Sequence, residues 1–335
     1  MILKRVRGGV RSKRRFPAGT LASSATTCDA CGSSGTIIHR DLQDADYGVP
    51  GLWAVCRCLS WSCGLGWLEP RPAAAEIAGF YTRYYTHASA GDRQTAPPRF
   101  SGRGVSRLLR RLLAWALPWK RAHYLSDNRY LAGLPAGRLL DVGCGSGDFL
   151  HWMARLGWQA HGIDFDEAAV RAAGRFPGVD VRLGDLNSQN FSADYFDAIT
   201  LSDVIEHLPN PEQVIRECLR ILRPGGRIVI ATPNIDSFGH RFFGRHWRGL
   251  EPPRHLFLYS ASALKKMAKL AGFERFSVFS TPGNKLAHDY IITASEEAAT
   301  PVRRPYSRRA RSVLARILEV FGVHRGEWIV FVGTK

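Results

Sequence analysis

Three glycines alternate with other residues in DVGCGSGD, directly after an apolar run typical of a buried strand. Gly143, Gly145 and Gly147 predict a tight turn into a helix that begins near Asp148 or Phe149. A backbone without Cβ atoms can approach a ligand closely at the end of a parallel strand. The dinucleotide fingerprint G-x-G-x-x-G would need a glycine where Asp148 stands, so the pattern disfavours a nicotinamide dinucleotide.

Acidic residues lie at or near the ends of the first three strand-like runs of this region. Asp141 precedes the glycine turn, Asp164 ends AHGIDF, and Asp185 follows the third run in RLGDL. A carboxylate at Asp164 can accept two hydrogen bonds from a ribose diol, and Asp185 can accept one from an adenine amine. A single such residue is equally well explained as the N-cap of the next helix. Three of them around a glycine turn favour a site for an adenosine-containing cofactor.

Two further segments, SDVIEHL and EPPRHLFLYS, supply acids and imidazoles. Asp203, Glu206 and His207 share one face if the first segment opens a helix, and His255 comes from the second. Carboxylates and imidazoles together can bind a divalent cation such as Mg, Mn or Zn. The alternative is that Glu206 and His207 serve packing and capping. Under either interpretation His207 and His255 are the candidate general bases, because an imidazole titrates near neutral pH.

Five of the seven cysteines lie between Cys28 and Cys63. The chain begins with charged residues and not with the apolar core of a signal peptide, so this clustering indicates metal ligands and not a secreted disulfide framework. Cys28-x-x-Cys31 is one half of a zinc site, and Cys56, Cys58 and Cys63 are candidates for the other half. The alternative is a group of reduced core cysteines.

The elements that must position these residues follow from the alternation of apolar runs. RLLDVG, AHGIDF, VDVRLG, FDAITLSD, RIVIAT, RFSVFS and WIVFVG are strand-like, and helical segments separate most of them. This order predicts an α/β fold with a mostly parallel, doubly wound sheet. The predicted divisions are a basic disordered tail (1–22), a cysteine-rich module (23–70), a helical linker or lid (71–136), and a main domain (137–335) with a helical insertion near 284–325.

The charge of the 335-residue chain is concentrated in a few places. The net charge is +17, and the stretches 1–15, 99–121 and 303–311 are basic and contain no acid. No run is long and apolar enough for a membrane-spanning helix. The composition therefore predicts a cytoplasmic protein, with an organellar transit peptide as the alternative for the Arg-rich start.

Two of the basic stretches have an amphipathic pattern. GVSRLLRRLLAWALPW (104–119) and RRARSVLARILEVF (308–321) each predict a helix with an apolar stripe flanked by arginines. One interpretation is a lid packed over the cofactor site. Another is peripheral docking on an anionic membrane, at the inner membrane surface, with a lipid-linked acceptor. Nucleic acid is a less favoured partner, because the sequence contains no recognised RNA-binding motif.

In this order, DVGCGSG, GIDFD, GDL, DAITLSDVIEHLPNP and LRPGGRIVIATPN resemble the successive motifs of class I S-adenosylmethionine-dependent methyltransferases. The resemblance covers residues 137–335. It implies a Rossmann-like seven-stranded sheet with helices on both faces, in which the last strand runs antiparallel. It also implies that the cofactor contacts Asp141, Gly143, Gly145, Gly147, Asp164, Phe165, Asp185, Leu186, Leu201 and Ser202. The last two lie near the sulfonium.

The segments around the cysteines carry a second resemblance. GLGWLEPRPAAAEIAGFYTRYYTH and EPPRHLFLYS resemble zinc-ribbon methyltransferases of bacterial polysaccharide and natural-product clusters. By this resemblance Cys58 and Cys63 complete a structural zinc site with Cys28 and Cys31, and Cys56 is spare. Four thiolates leave no open coordination position, so the module shapes the site and carries out no chemistry.

The acid and imidazole pattern is similar to the Glu-x-x-Glu-His metal site of quinone-biosynthesis and small-RNA methyltransferases, with Asp203 in place of the first Glu. The sequence thus predicts an enzyme that methylates a small molecule, most simply a hydroxyl of a sugar or lipid-linked intermediate. The sugar part rests on family analogy alone. The alternatives are a metal-assisted RNA methyltransferase and a non-catalytic cofactor-binding scaffold.

Overall fold

The computed structural model of the protein describes residues 27–45, 47–81, 128–281 and 325–335, and these contain two β-sheets. The larger sheet has seven strands: β4 (Arg138–Val142), β5 (Gln159–Asp164), β6 (Val179–Leu183), β7 (Phe196–Ser202), β8 (Leu222–Pro233), β10 (Arg275–Thr281) and β11 (Trp328–Thr334). The smaller sheet has four: β1 (Gly35–Leu42), β2 (Trp53–Cys58), β3 (Gly66–Glu69) and β9 (Phe257–Leu258).

The order of the large sheet is β10-β11-β8-β7-β4-β5-β6. Only β11 is antiparallel to its neighbours, β8 and β10. The chain runs outward from β4 to β6 on one side and from β7 to β8 on the other. Right-handed crossovers in opposite directions place the connecting helices on opposite faces of the sheet. The seven-stranded, mostly parallel Rossmann-like sheet predicted from the sequence is therefore confirmed.

Helices alternate with these strands, and we number them separately from the strands. They are α1 (Ala74–Ile77), α2 (Asp148–Arg155), α3 (Glu167–Ala173), α4 (Pro211–Ile221), α5 (Phe238–Phe243) and α6 (Ala261–Leu270). Helix α4 buries Pro211, Ile215, Cys218 and Ile221, the spacing of one helical face, and it packs against α6. Local capping determines where α5 and α6 begin, because Ser237 and Ser260 each accept a hydrogen bond from a backbone N–H three residues later.

The small sheet joins the cysteine-rich module to the main domain. Its strands β1, β2 and β3 come from the module, but the fourth, β9, comes from the segment that precedes α6. Ser260, the N-cap of α6, donates a hydrogen bond to the carbonyl of Cys63 at 2.5 Å. Backbone pairing and a helix cap therefore both attach the module to the main domain.

A buried ionic cluster holds the same interface. Both terminal nitrogens of Arg254 lie 2.9 Å from the carboxylate of Asp44, and its Nε lies 2.9 Å from Glu251. Glu251 also accepts from Arg248 at 2.7 Å, and the ring of Tyr47 covers the Arg254 guanidinium. The cluster contains two cations and two anions, so its buried charges are balanced. Asp44 and Arg254 are 210 residues apart, which makes the cluster a long-range connection between module and domain.

No helix among the described residues is long and apolar enough to span a membrane. The predicted basic helices at 104–119 and 308–321, the tail at 1–22 and the insertion near 284–325 lie largely or wholly outside the described residues, and so does most of the predicted helical linker at 71–136. The described part of that linker contains α1 and a 3-10 turn, Ala78–Tyr81.

Candidate active site

The glycine turn lies at the carboxyl end of β4 and leads into α2. Gly143, Gly145 and Gly147 have φ values of 70°, 53° and 79°, the left-handed region that favours glycine. A Cβ on Gly147 would lie 2.6 Å from the Cβ of Ala173 on α3, so this position also needs glycine for close packing. The turn is held from β5, where Asp164 accepts from Gly145 N at 2.8 Å.

Asp164 has two roles in this arrangement. Its Oδ2 binds the glycine turn, and its Oδ1 accepts from Asp166 N at 2.9 Å. Each carboxylate oxygen can accept a further hydrogen bond, so a ribose diol remains a suitable ligand. Burial raises the pKa of Asp164. The carboxylate thus fixes the turn before any ligand binds, a role that its position at a strand end does not reveal.

Asp141 is fully buried beneath the turn. Its Oδ1 accepts hydrogen bonds from Arg129 and from Thr200 Oγ1, the latter at 2.7 Å. Its Oδ2 is buried without a hydrogen-bond partner in the described part of the chain. Burial raises the pKa of Asp141, and the charge of Arg129 opposes that rise. Sequence reasoning missed Arg129, whose guanidinium also stacks 4.0 Å from the ring centroid of Phe149.

The other predicted cofactor residues lie around the same edge of the sheet. Asp185 is exposed after β6, and its Oδ1 accepts from Ser188 N at 2.9 Å, which holds the 3-10 turn Asn187–Gln189; the N-cap position of that turn is Leu186. Phe165 is 53 % exposed after β5 and leaves an aromatic surface open at the crevice. The remaining predicted residues occupy the ends of β6 and β7: Leu186 and Leu201 are buried, and Ser202 is half-buried.

Glu206, His207 and His255 form a compact group beyond the end of β7, in which Glu206 and His255 are buried and His207 is half-buried. One ligand atom from each lies within 4.8 Å of those of the other two. His255 Nδ1 is 2.8 Å from the Gly249 carbonyl, and His207 Nδ1 is 3.0 Å from the Arg254 carbonyl. A carbonyl can only accept, so both Nδ1 atoms carry protons and both Nε2 atoms keep a lone pair.

The protonation of this group follows from its burial. Burial lowers the pKa of His207, and burial together with His207 lowers the pKa of His255 to about 3. Burial and the charge of Asp203 raise the pKa of Glu206 well above its ordinary value. Glu206 Oε2 accepts from Thr232 at 2.9 Å, and its Oε1 is buried with no hydrogen-bond partner among the described residues. Two imidazole lone pairs and one carboxyl oxygen of Glu206 thereby converge, and Glu251 Oε2 lies 3.7 Å from His255 Nε2.

Asp203 does not belong to this group, contrary to the expected set of four. The segment forms a 3-10 turn, Ile205–His207, and no helix begins at Asp203, whose φ is +55°. Its Oδ1 accepts from Trp328 Nε1 at 2.7 Å. The common helical face expected for Asp203, Glu206 and His207 is therefore wrong, because the left-handed residue directs the carboxylate towards β11.

Tyr81 connects the cofactor side to this buried group. Its hydroxyl lies 2.9 Å from His207 Nδ1, and its ring contacts Phe165 edge to face at 5.0 Å between centroids. Tyr81 ends the 3-10 turn that follows α1. Sequence reasoning missed it, since a tyrosine in an aromatic-rich linker carries no spacing signal towards a histidine 126 residues later.

The cysteine cluster contains the four predicted ligands and excludes the fifth cysteine. The Sγ atoms of Cys28, Cys31, Cys58 and Cys63 lie within 4.8 Å of one another, with Cys28 to Cys63 at 3.7 Å and Cys31 to Cys58 at 3.4 Å. Thiolates at about 2.3 Å from a tetrahedral zinc place their sulfurs about 3.8 Å apart, so the spacing fits that ion. Cys56 is buried in the core nearby.

The environment of the cluster suits a metal. Burial acts to raise the pKa of Cys31, but hydrogen bonds from Ser33 and the neighbouring thiols lower it to about 6. Cys28 and Cys63 have raised pKa values, with burial as the main cause. A bound cation would favour the deprotonated form of all four thiols. The four clustered cysteines fit a small zinc module, as the sequence predicted.

Comparison with known proteins identifies the family. The model of a family described as a methyltransferase domain matches residues 102–278. The chain belongs to this family of S-adenosylmethionine-dependent methyltransferases.

Individual relatives agree with this assignment. A probable S-adenosylmethionine-dependent methyltransferase of Mycolicibacterium smegmatis is 36 % identical over 160 residues, 47 % of this chain and 59 % of the relative. The ubiquinone biosynthesis O-methyltransferase of Xanthomonas oryzae pv. oryzae is 40 % identical over 123 residues, 34 % of this chain and 49 % of the relative. The corresponding protein of Cupriavidus pinatubonensis is 34 % identical over 175 residues, 49 % of this chain and 70 % of the relative. The chain thus spans less than two thirds of the first two relatives.

The solved structures that resemble this chain have a lower sequence identity to it than these relatives. A SAM-dependent methyltransferase from Archaeoglobus fulgidus has a TM-score of 0.43 and 21 % identity, over 70 % of this chain and 96 % of the other. Phosphoethanolamine N-methyltransferase 2 of Haemonchus contortus has a TM-score of 0.45 and 19 % identity, over 65 % of this chain and 52 % of the other. These likenesses are too remote to bear on the activity.

Proposed function

We propose that the protein transfers the methyl group of S-adenosylmethionine to a hydroxyl oxygen of a small-molecule acceptor. The observation that carries this proposal is the arrangement at one edge of the sheet. The glycine turn after β4, Asp164 at the end of β5, and the buried histidines beyond β7 all lie at the carboxyl ends of adjacent parallel strands. Ligands of open α/β sheets bind in that crevice.

The side chains around the turn fit this methyl donor. The unpartnered Oδ2 of Asp141 is a suitable acceptor for a methionyl ammonium group. Asp164 retains the capacity to accept from ribose hydroxyls, and Asp185 with Leu186 lies where the adenine would follow. Leu201 and Ser202, at the end of β7, would face the sulfonium. These roles follow from the family resemblance and from the free hydrogen-bonding capacity of the residues.

When bound, S-adenosylmethionine supplies a methyl group on a sulfonium, a leaving group that needs no further activation. The residues of this chain must therefore align the acceptor and take up one proton from its hydroxyl. We assign the second task to His207 or His255, because each presents a lone pair on Nε2 while its Nδ1 proton is held by a backbone carbonyl. The Tyr81 hydroxyl lies 2.9 Å from the same Nδ1 of His207, so it shares that proton with the Arg254 carbonyl.

A divalent cation is a second candidate for the same group. Glu206 Oε1, His207 Nε2 and His255 Nε2 offer three lone pairs, and the tethered Nδ1 atoms are typical of metal-binding histidines. Two imidazole ligands favour zinc, manganese or iron over magnesium. A cation held there would favour the deprotonated form of a bound hydroxyl.

At the four cysteines we propose a structural zinc ion. The closed set of thiolates leaves no position for substrate. By analogy with zinc-ribbon relatives, and with relatives named ubiquinone biosynthesis O-methyltransferase, we propose a sugar or a lipid-linked intermediate as the acceptor. We place the reaction in the cytoplasm, at the inner membrane surface if the acceptor is lipid-linked.

The deciding experiment is an acceptor screen with radiolabelled S-adenosylmethionine, in which lipid extract, nucleotide sugars and RNA are compared. We expect label in a small-molecule or lipid product. With that acceptor, His207→Ala and His255→Ala should lower kcat by about 10²–10⁴-fold. His246→Ala, an exposed histidine of the same region, is the matched control and should retain activity.

Metal dependence separates the two roles of the histidines. If they act as a base, dialysis against EDTA that leaves the zinc content of the cysteine cluster intact leaves kcat unchanged. A cation at the histidines instead makes kcat fall and makes it recoverable by adding back Mn²⁺. Label in RNA alone would contradict the small-molecule proposal. Normal turnover in both histidine variants would remove these residues from the mechanism.

A further inference from the structure

A second cleft lies at the same edge of the large sheet, between the zinc module and the segment after β8. It has a volume of about 610 Å³. Its walls come from β1, β2, the segment Ile235–Asp236, α5 with Gly244, and Arg325, which precedes β11. The cleft therefore forms only where module and main domain meet. It lies beside the end of β8, the neighbour of β7, whose end would face the sulfonium.

The charged side chains of the cleft are unbalanced. Three arginines line it, Arg57, Arg241 and Arg325, against one carboxylate, Asp236. Asp236 is paired with Arg57 at 2.5 Å. In the described parts of the chain no carboxylate pairs with Arg241 or Arg325, and both are exposed. The lining thus carries a net charge of about +2 with neutral histidines, as expected for a site that takes an anion.

Two histidines at the base of the cleft are neutral and oriented. His240 Nδ1 lies 2.5 Å from the carbonyl of Ile235, so Nδ1 carries the proton and Nε2 has a lone pair. His39 Nε2 lies 2.8 Å from His240 Nε2 and must donate to it. Burial is the largest cause that keeps the pKa values of both histidines low. The positive charge of the cleft therefore comes from its arginines.

We infer that this cleft binds a phosphoryl group of the acceptor, a phosphate monoester or a diphosphate, which carries about two or more negative charges at neutral pH. The inference rests on the methyltransferase function proposed above and specifies its substrate class. Guanidinium groups match phosphoryl oxygens in geometry. Two guanidiniums without a carboxylate partner suit a phosphoryl group better than a carboxylate, because the carboxylate carries a single negative charge. The volume is within the range of small-molecule sites and leaves room for more than the phosphoryl group.

Binding of inorganic pyrophosphate tests this without any turnover. Isothermal titration calorimetry should give saturable binding to the full chain. The double variant Arg241→Gln, Arg325→Gln should weaken that binding by at least about tenfold, since hydrogen bonds to charged groups are the stronger class. The matched control is Arg155→Gln, Arg175→Gln, which makes the same charge change at exposed arginines outside the cleft and should leave Kd within about twofold.

A gain of affinity provides a test that misfolding cannot imitate. Asp236→Asn removes the one carboxylate among the described lining residues and frees Arg57, so pyrophosphate should bind about three- to tenfold more tightly. Binding of S-adenosylhomocysteine should stay unchanged in all these variants. A wild-type protein that does not bind S-adenosylhomocysteine would count against the methyltransferase proposal. Unaltered pyrophosphate affinity in the variants would overturn the phosphoryl site alone.

A separate competition experiment identifies the source of the phosphoryl group. Uridine diphosphate in solution and phosphatidylcholine vesicles containing a polyprenyl diphosphate are compared as competitors of pyrophosphate. Competition by the first identifies a nucleotide-linked acceptor, and competition by the second identifies a lipid-linked one. Competition by neither, together with no binding of pyrophosphate to the wild type, overturns the inference.

Discussion

Asp164→Asn is the substitution for which the structure gives the most specific expectation. The carboxylate accepts from Gly145 N with one oxygen and from Asp166 N with the other. An asparagine has one oxygen, so its amide nitrogen must face one of these N–H groups, donor against donor. The variant consequently loses one hydrogen bond to the protein and one acceptor for the ribose diol.

Asp164→Asn should change the affinity for the cofactor product more than it changes the stability of the protein. A hydrogen bond to a charged group contributes about 1.5–3 kcal/mol, so S-adenosylhomocysteine should bind about ten- to hundredfold more weakly. Stability should change less, because two effects oppose each other. Burial raises the pKa of Asp164, which means that its charge is unfavourable in the folded protein, and the neutral amide removes that penalty while it adds the donor–donor contact.

The assay is isothermal titration calorimetry with S-adenosylhomocysteine, with thermal unfolding of the free protein in parallel. Asp148→Asn is the matched control. It makes the same change in the same turn, but Asp148 is exposed, and among the described residues its side chain accepts from Ser146 Oγ alone, at 2.9 Å. Its Kd should stay within about twofold of the wild type. An unchanged Kd in Asp164→Asn would refute the ribose role, and a large loss of stability would show that the turn is its main partner.

Three further predictions concern the metal, the interface and acid stability. The purified protein should carry about one zinc per chain by elemental analysis. The variant Cys31→Ser should lose this zinc and Cys56→Ala should keep it. Zinc retained in Cys31→Ser would contradict the four-cysteine cluster as the site. Arg254→Met should cost about 3–5 kcal/mol in urea unfolding, because it removes the cation from the buried Asp44 and leaves Arg248 as the remaining arginine partner of Glu251. Met in place of the exposed Arg216 should cost under about 1 kcal/mol, and equal losses would refute the buried cluster. Burial is the main cause that lowers the pKa of His39 to about 4, and the charge of Arg245 adds to it, so the unfolded chain binds this proton more readily. Stability should fall as pH drops from about 6.5 towards 4, by about 1–2 kcal/mol at pH 5 because solvent screens this half-buried ring, and His39→Gln should remove that part of the slope.

The large sheet was predictable because its signals are local. Each strand is a short apolar run, and the glycine turn, Asp164 and Asp185 stand next to the runs that position them. The contacts that complete the site are not local. Arg129 reaches Asp141 from a turn before β4, and Tyr81 reaches His207 across 126 residues. No periodicity records such pairs, because they depend on how the elements pack.

Asp203 illustrates the same limit from the other side. Its spacing to Glu206 and His207 fits a helical face, and on spacing alone a shared role is reasonable. The backbone at Asp203 is left-handed, and Trp328 on β11 supplies a donor for the carboxylate. The indole comes from a strand 125 residues later, so a tertiary contact overrides the local pattern.

The position of the zinc module indicates what a closed metal site contributes to this protein. Four thiolates around zinc would fix the turn that carries Cys31, before β1, against Cys58 at the end of β2. Those strands supply His39 and Arg57 to the second cleft. The buried pair of Asp44 and Arg254 connects the same module to the segment that contains His255. A metal that contacts no substrate can therefore set the distance between the inferred phosphoryl site and the two histidines proposed as bases. Its loss should impair acceptor binding while the glycine turn, held within the large sheet by Asp164, keeps its shape.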